Sequence, residues 1–415
     1  LFYGESQHNT TGFALVNKHL LAAIAPVCEL EVVASSAWIP ALDEVLPYKV
    51  HSCTLEGEID DKTRARNLDT IMARLESREW DIFFYQGDIG ANDDVIIAAC
   101  KIAQEDKKFT IYYVPVDVDS LLPQVFDIAR ACDVQVFYTQ QGADLAMSLV
   151  PEMVGKASAI GLGTEPDIFY PLPPEERIAQ RKRIFGIEDD TFIVINVNRN
   201  QMRKDLARTM ACFHQFHELY PHSLLYMHSV IQDFGGNLML QATMAGLDIH
   251  AQPSEIAFSG LDLGKPWSRE DLNNLYNAAD ALVSTSYGEG WGLSTTEAMC
   301  AGCPVVVAYN TANIDILGKE QERGWGIRTG GDVDHTAFLY EGGGAPHDVV
   351  WSESFINQLG NVYKGTLFRG SKEAWWVQDK KEAARAWCLE NTWEHKARAW
   401  RQVIEILSSG QTDNG

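Results

Sequence analysis

Short runs rich in β-branched and aromatic residues recur along this chain, with amphipathic helical stretches between them. That alternation restricts the fold more than any other feature. The first runs are LFY (1–3), LEVVA (30–34), WDIFFY (80–85), FTIYYV (109–114) and VQVFYT (134–139). Between them lie stretches such as GFALVNKHLLAAIA and TRARNLDTIMARLESR, where Leu68, Ile71, Met72 and Leu75 fall at i, i+3, i+4 and i+7. Strands and helices that alternate in this way build a parallel sheet covered by helices. At 171 the texture breaks into PLPPEERIAQRKRIFGI. Its prolines neither continue a helix nor pair in a central strand, so the run predicts a linker. A helix follows, with Arg177, Arg181, Lys182 and Arg183 on a solvated face.

The alternation then restarts with TFIVIN (191–196), SLLYMH (223–228), EIAFSG (255–260), ALVST (281–285), PVVVA (304–308) and WGIRT (325–329). Two such arrays predict an α/β chain of two Rossmann-like domains, 1–170 and 171–391, facing each other across a cleft. Ligands in such sheets lie at the C-terminal ends of the strands. The end of the chain is helical but broken at Asn391-Thr392, and its last helix, about 392–415, is expected to pack back on the first domain. Residues 330–372 have no regular pattern and are assigned no element.

The length of 415 residues suits two domains. The formal charge of −23, from 57 acids and 34 bases, disfavours nucleic acid or an anionic membrane as the main partner. Eight scattered cysteines do not form a disulfide framework and point to a reducing, cytoplasmic setting. Cys300 and Cys303 read as small residues at a helix end rather than as a redox or zinc pair. No run approaches the ~18 apolar residues of a membrane span, and no leader peptide is visible.

One stretch carries chemistry: GEGWGLSTTEA, residues 288–298. It follows a strand, and its glycines, 288, 290 and 292, let the backbone turn and approach a ligand closely. A helix is expected to start near Ser294, with STTE as a capping box. A helix start with unsatisfied amides holds anions, and diphosphates in particular.

The longer stretch SYGEGWGLSTTEAMCAGCPVV resembles the donor-binding signature of retaining GT-B glycosyltransferases, chiefly glycosyltransferase family 4, with its E-x7-E motif. The resemblance implies that Glu289 contacts hydroxyls of the donor sugar and Glu297 the ribose. The amides of Gly290, Trp291, Gly292, Leu293 and Ser294 would hold sugar and phosphate. IVINVNRNQMRKDLARTMACF matches the family where an arginine and a lysine grip the diphosphate, which implies that role for Arg199 and Lys204. Asp205 stands where the family has glycine, and the NxNRN…RK run also resembles members encoded by large viruses and phages. IGLGTEPDIFYPL (160–172) resembles the family's interdomain stretch, and residues 256–286 its base-side loop, with Leu261 as a base contact. In the first domain Gly12 matches a glycine near the donor phosphates. His8 reads as a solvated loop histidine. Asp117 occupies the place of a family histidine that reaches the donor sugar, and His228 ends a strand on the ligand side.

The expected function is retaining transfer of a sugar from a nucleotide-diphosphate sugar to an acceptor hydroxyl of a glycan or small molecule. No metal or other cofactor is expected. The triplet DVD at 117–119 keeps open a metal-dependent GT-A transferase using Asp117 and Asp119, although DVD recurs at 332–334. A GT-B sugar-nucleotide epimerase and a non-catalytic nucleotide-sugar binding protein also remain.

Overall fold

The computed structural model describes residues 1–9, 11–35, 46–51, 61–188, 190–251, 254–260, 267–338, 346–368 and 370–410. Their contacts divide the chain into two compact units. One comprises Leu1–Val116, Leu121–Gly163 and Trp393–Gly415; the other comprises Asp117–Ser120 and Thr164–Thr392. The division falls ahead of the proline-rich run.

In the first unit the strands are β1 (Phe2–Gly4), β2 (Glu31–Ala34), β3 (Lys49–His51), β4 (Ile82–Gln86), β5 (Phe109–Val114), β6 (Val134–Phe137) and β7 (Ala157–Ala159). They form a parallel sheet of order β3-β2-β1-β4-β5-β6-β7. Helices α1 (Gly12–Ile24), α2 (Asp61–Glu76), α3 (Asp93–Asp106), α4 (Asp127–Ala131) and α5 (Gln140–Leu149) make the crossovers. On α2, Ile71 and Leu75 are fully buried, whereas Leu68 is exposed and Asn67 turns inward in its place.

The C-terminal α14 (Trp393–Ser408) belongs to this unit. It packs on α1, where Arg401 Nε donates to Ala23 O at 3.0 Å. The Trp400 ring lies 5.0 Å from Phe84 and 4.6 Å from Tyr113. An aromatic cluster of this kind buries much apolar area for few ordered torsions. The break at Asn391-Thr392 therefore separates α13 of the second unit from α14 of the first.

The second unit begins with α6 (Pro174–Phe185), the helix of the basic run. Arg181 on it bonds Asp280 at 2.9 Å and Arg177 donates to Asn277 O at 2.9 Å, so part of that run is structural and not solvated. Then follow β8 (Phe192–Val197), α7 (Leu206–Leu219), β9 (Ser223–His228), the two-residue strands β10 (Gln232–Asp233) and β11 (Gly236–Asn237), and α8 (Leu238–Met244). The chain continues with β12 (Ile256–Phe258), α9 (Arg269–Ala278), β13 (Ala281–Ser284), α10 (Leu293–Cys300), β14 (Val305–Ala308), α11 (Ala312–Leu317) and β15 (Trp325–Ile327). The six-stranded parallel sheet has order β12-β9-β8-β13-β14-β15. The order reverses beside β8 and β13, so the loops leaving those strands flank the switch point at which such sheets bind ligands.

Residues 330–372 resolve into an antiparallel hairpin, β16 (Thr336–Phe338) with β17 (Pro346–Asp348), and α12 (Ser352–Leu367); α13 (Lys372–Glu390) closes the unit. Cys300 ends α10 and Cys303 follows it; both are buried free thiols, and burial pushes the Cys303 thiol up to about 12. No helix among the described residues is long and apolar enough to cross a membrane.

Candidate functional site

The loop after β8 is anchored by alternate asparagines. Asn196 donates to Thr209 Oγ1 and Val283 O, Asn198 to Asn196, and Asn200 to Gly236 O at 2.7 Å. The chain then makes a single turn, Met202–Lys204, and enters α7 through Asp205. Asp205 has φ +43, a left-handed conformation that favours glycine and that aspartate tolerates better than most residues. Its carboxylate caps α7 by accepting from Arg208 N. This geometry explains how Asp205 can follow Lys204 where the resemblance expects glycine.

The turn directs two cations at the loop after β13. Lys204 Nζ donates to both oxygens of Glu289, at 2.6 and 2.7 Å. Arg203 Nη1 bonds Gly288 O and approaches Glu289 Oε2 at 3.4 Å, and its Nε lies 3.3 Å from Asp117 Oδ2. The backbones are joined as well, since Tyr287 N donates to Arg203 O at 2.9 Å. Burial pushes the Glu289 carboxyl up, but Lys204 and Arg203 outweigh it and hold the group down at about 2. Burial lowers the Lys204 ammonium, against the pull of Glu289. Sequence reasoning assigns Arg203 no role of its own; its adjacency to Lys204 in a basic pair is the available signal.

Thr311, which follows β14, completes the frame. Its hydroxyl accepts from Glu289 N at 2.8 Å and its own amide donates to Asp119 Oδ1 at 3.2 Å. It has φ +40 and ψ −126, a conformation that costs a non-glycine residue about 1–3 kcal/mol and is found at functional sites. Asp117 and Asp119 thus face separate partners. Asp119 is buried, which pushes its carboxyl up to about 6 against the Thr311 amide. Among the described residues no three His, Cys, Asp or Glu side chains converge as metal ligands.

Gly288 is required for packing: a Cβ there would stand 1.9 Å from Asp117 O. Gly292 has φ +90 and opens α10 with no side-chain cap. The expected capping box is therefore absent. Ser294 lies inside the helix, and Glu297 turns to α9, where Tyr276 Oη donates to its Oε2 at 2.8 Å. The left-handed glycine supplies the turn that a capping side chain would otherwise define. Burial pushes the Glu297 carboxyl up to about 7, over the opposing Tyr276 and Arg269. Among the described residues, the amides of Gly290, Trp291, Gly292, Leu293 and Ser294 donate to no protein acceptor. Trp291 is buried and stacks on Trp387, and its Nε1 has no hydrogen-bond partner among the described residues.

Arg199, His228 and Gly12 make other contacts. Arg199 is half exposed and bonds Asp233 at 2.8 Å. His228 is buried with its ring edge-on to Trp267 at 4.6 Å, and burial lowers its pKa to about 4, so it is neutral. Gly12 is in the first unit and opens α1 behind Thr11, whose hydroxyl accepts from Ala14 N at 3.1 Å. In the loop before it, Glu5 binds Asn9 and Thr11. Leu261 lies outside the described residues.

Glu289, the start of α10 and Thr311 lie in a region that known proteins share. Residues 263–337 match the family model described as glycosyl transferases group 1. A D-inositol 3-phosphate glycosyltransferase of Mycolicibacterium smegmatis is 30% identical over 193 residues, 45% of this chain and 39% of that protein. The chain thus spans about two fifths of that relative's length. Among solved structures, the sucrose-phosphate synthase of Thermosynechococcus elongatus superposes with a TM-score of 0.69 at 16% identity, over 99% of both chains. A trehalose-6-phosphate protein from E. coli, solved with UDP-2-fluoro glucose bound, gives a TM-score of 0.64 at 12% identity over 98% of both. At these identities the likeness shows the fold, which is GT-B with two Rossmann-like domains.

Proposed function

We propose that the chain is a retaining glycosyltransferase that takes a sugar from a nucleoside-diphosphate sugar, without a resident metal, and passes it to an acceptor hydroxyl. The observation that carries this reading is the run of five undonated amides, Gly290 to Ser294, beside the Glu289–Lys204–Arg203 cluster. Free amides at a helix start suit a diphosphate. A lysine ammonium has three donors, and two are used on Glu289, which leaves one for a phosphate oxygen. Arg199 is a second cation for the same group. The group 1 match and the UDP-sugar bound by the E. coli relative support the same ligand class.

In this reading Glu289, kept ionised and fixed by Lys204, accepts from sugar hydroxyls. Glu297 accepts from the ribose. The C1–O bond to the diphosphate breaks as the acceptor oxygen bonds C1 on the same face, and the acceptor proton passes to the departing phosphate. The amides, Lys204 and Arg203 stabilise the charge that builds on that phosphate. The test is to incubate the chain with UDP-, GDP- and ADP-sugars and a panel of glycans and polyols as acceptors, in EDTA, and follow donor consumption and product anomer by NMR. Consumption of one donor with its anomeric configuration kept supports the reading. Inversion removes the retaining mechanism, and no consumption of any donor removes the transferase.

A further inference from the structure

The β16–β17 hairpin, which has no counterpart in the motifs read above, reaches this same cluster. Its base is firmly held: Gly330 N donates to Val349 O at 3.0 Å, Trp351 Nε1 donates to Gly330 O at 2.8 Å, and the His335 ring stacks on Trp351 at 3.8 Å. The return strand carries His347, which is 4% exposed. Neither of its ring nitrogens has a hydrogen-bond partner among the described residues. The ring centroid lies 6.0 Å from that of Tyr287, the residue before Gly288. The charges of Asp117, Arg203 and Asp348 act on it.

Leaving a buried polar atom unpartnered is costly, so two on one imidazole call for an occupant. Burial lowers the pKa of His347, against Asp117 and Asp348, so the ring is neutral with one donor and one acceptor. A phosphate would use only the donor. A hydroxyl, itself donor and acceptor, satisfies either nitrogen. We propose that His347 is a specificity-determining residue that hydrogen-bonds a hydroxyl of the transferred sugar, delivered to the site by the hairpin. This inference rests on the nucleotide-sugar reading.

The test is calorimetric titration of the whole chain with UDP, GDP and ADP, and with UDP-glucose, UDP-N-acetylglucosamine, GDP-mannose and ADP-glucose. Wild type, His347→Phe and His347→Asn are compared. Phenylalanine keeps the ring and removes both nitrogens. It should weaken the preferred nucleotide-sugar about tenfold and leave its free nucleoside diphosphate within about twofold, the loss of one hydrogen bond. Asparagine, with a donor and an acceptor, should recover part of the difference. Equal nucleotide-sugar affinity for His347→Phe and wild type overturns the inference, as does an equal loss of both ligands. If wild type binds none of the probes, the nucleotide-sugar reading fails and this inference with it, a result visible without any variant.

Discussion

Glu289 and Glu297 belong to one short stretch and are both buried carboxyls, yet the fold gives them opposite surroundings. Glu289 meets the turn after β8, where Lys204 and Arg203 hold it down at about 2. Glu297 meets α9, where a tyrosine hydroxyl and an arginine at 3.9 Å do not offset burial, and it is pushed up to about 7. The spacing of the motif sets where the two groups stand. Their ionisation is set by elements far away in sequence. The first end of the site is thus charged at every physiological pH, and the second titrates within it.

The largest expected effect breaks the first environment. Lys204→Met leaves Glu289 buried beside Arg203 alone and should destabilise the chain by roughly 3–5 kcal/mol in urea unfolding, with donor turnover lost. Gly288→Ala comes next, because the Cβ would collide with a backbone carbonyl and not with a movable side chain. A loss of about 1–3 kcal/mol is expected by the same assay, and a wild-type midpoint would refute the close approach of Asp117.

The second environment gives a signed pH prediction. Glu297 is raised above the ordinary 4.5, so its ionisation opposes folding: the penalty is absent below about 4.5 and complete above about 7. Glu297→Gln should therefore raise Tm at pH 8 and leave it nearly unchanged at pH 4, while weakening nucleotide binding about tenfold. Glu289 has the opposite sign, since its contribution is present above 4.5 and lost as pH falls toward about 2. The smallest effect is at Arg199, whose half-exposed pair with Asp233 should contribute less than about 1 kcal/mol to stability. Arg199→Ala should still weaken the nucleoside diphosphate, which titration would show.

Much of the fold was legible because buried parallel strands are written as continuous apolar runs. FTIYYV and SLLYMH coincide with β5 and β9. The edge strands β3 and β7, KVH and ASA, carry too little apolar character to be read. The hairpin that bears His347 was hidden for a similar reason, since three residues on each side cannot show a period. At the candidate site, Glu289, Lys204 and the 290–294 backbone are the parts that the resemblance names. Arg203 and Thr311 are not among them, because their roles arise where three separate loops meet. The capping box misled because S-x-x-E describes a local option, and Gly292 together with the pull of Tyr276 on Glu297 overrode it.

The most direct measurement is calorimetric titration of the wild-type chain with UDP, GDP and ADP, first in EDTA and then with Mn²⁺. The account predicts that one nucleotide binds in EDTA and that Glu297→Gln and Arg199→Ala each weaken it. Binding that appears only with Mn²⁺ would move the site toward Asp117 and Asp119, and no binding at all would contradict the account.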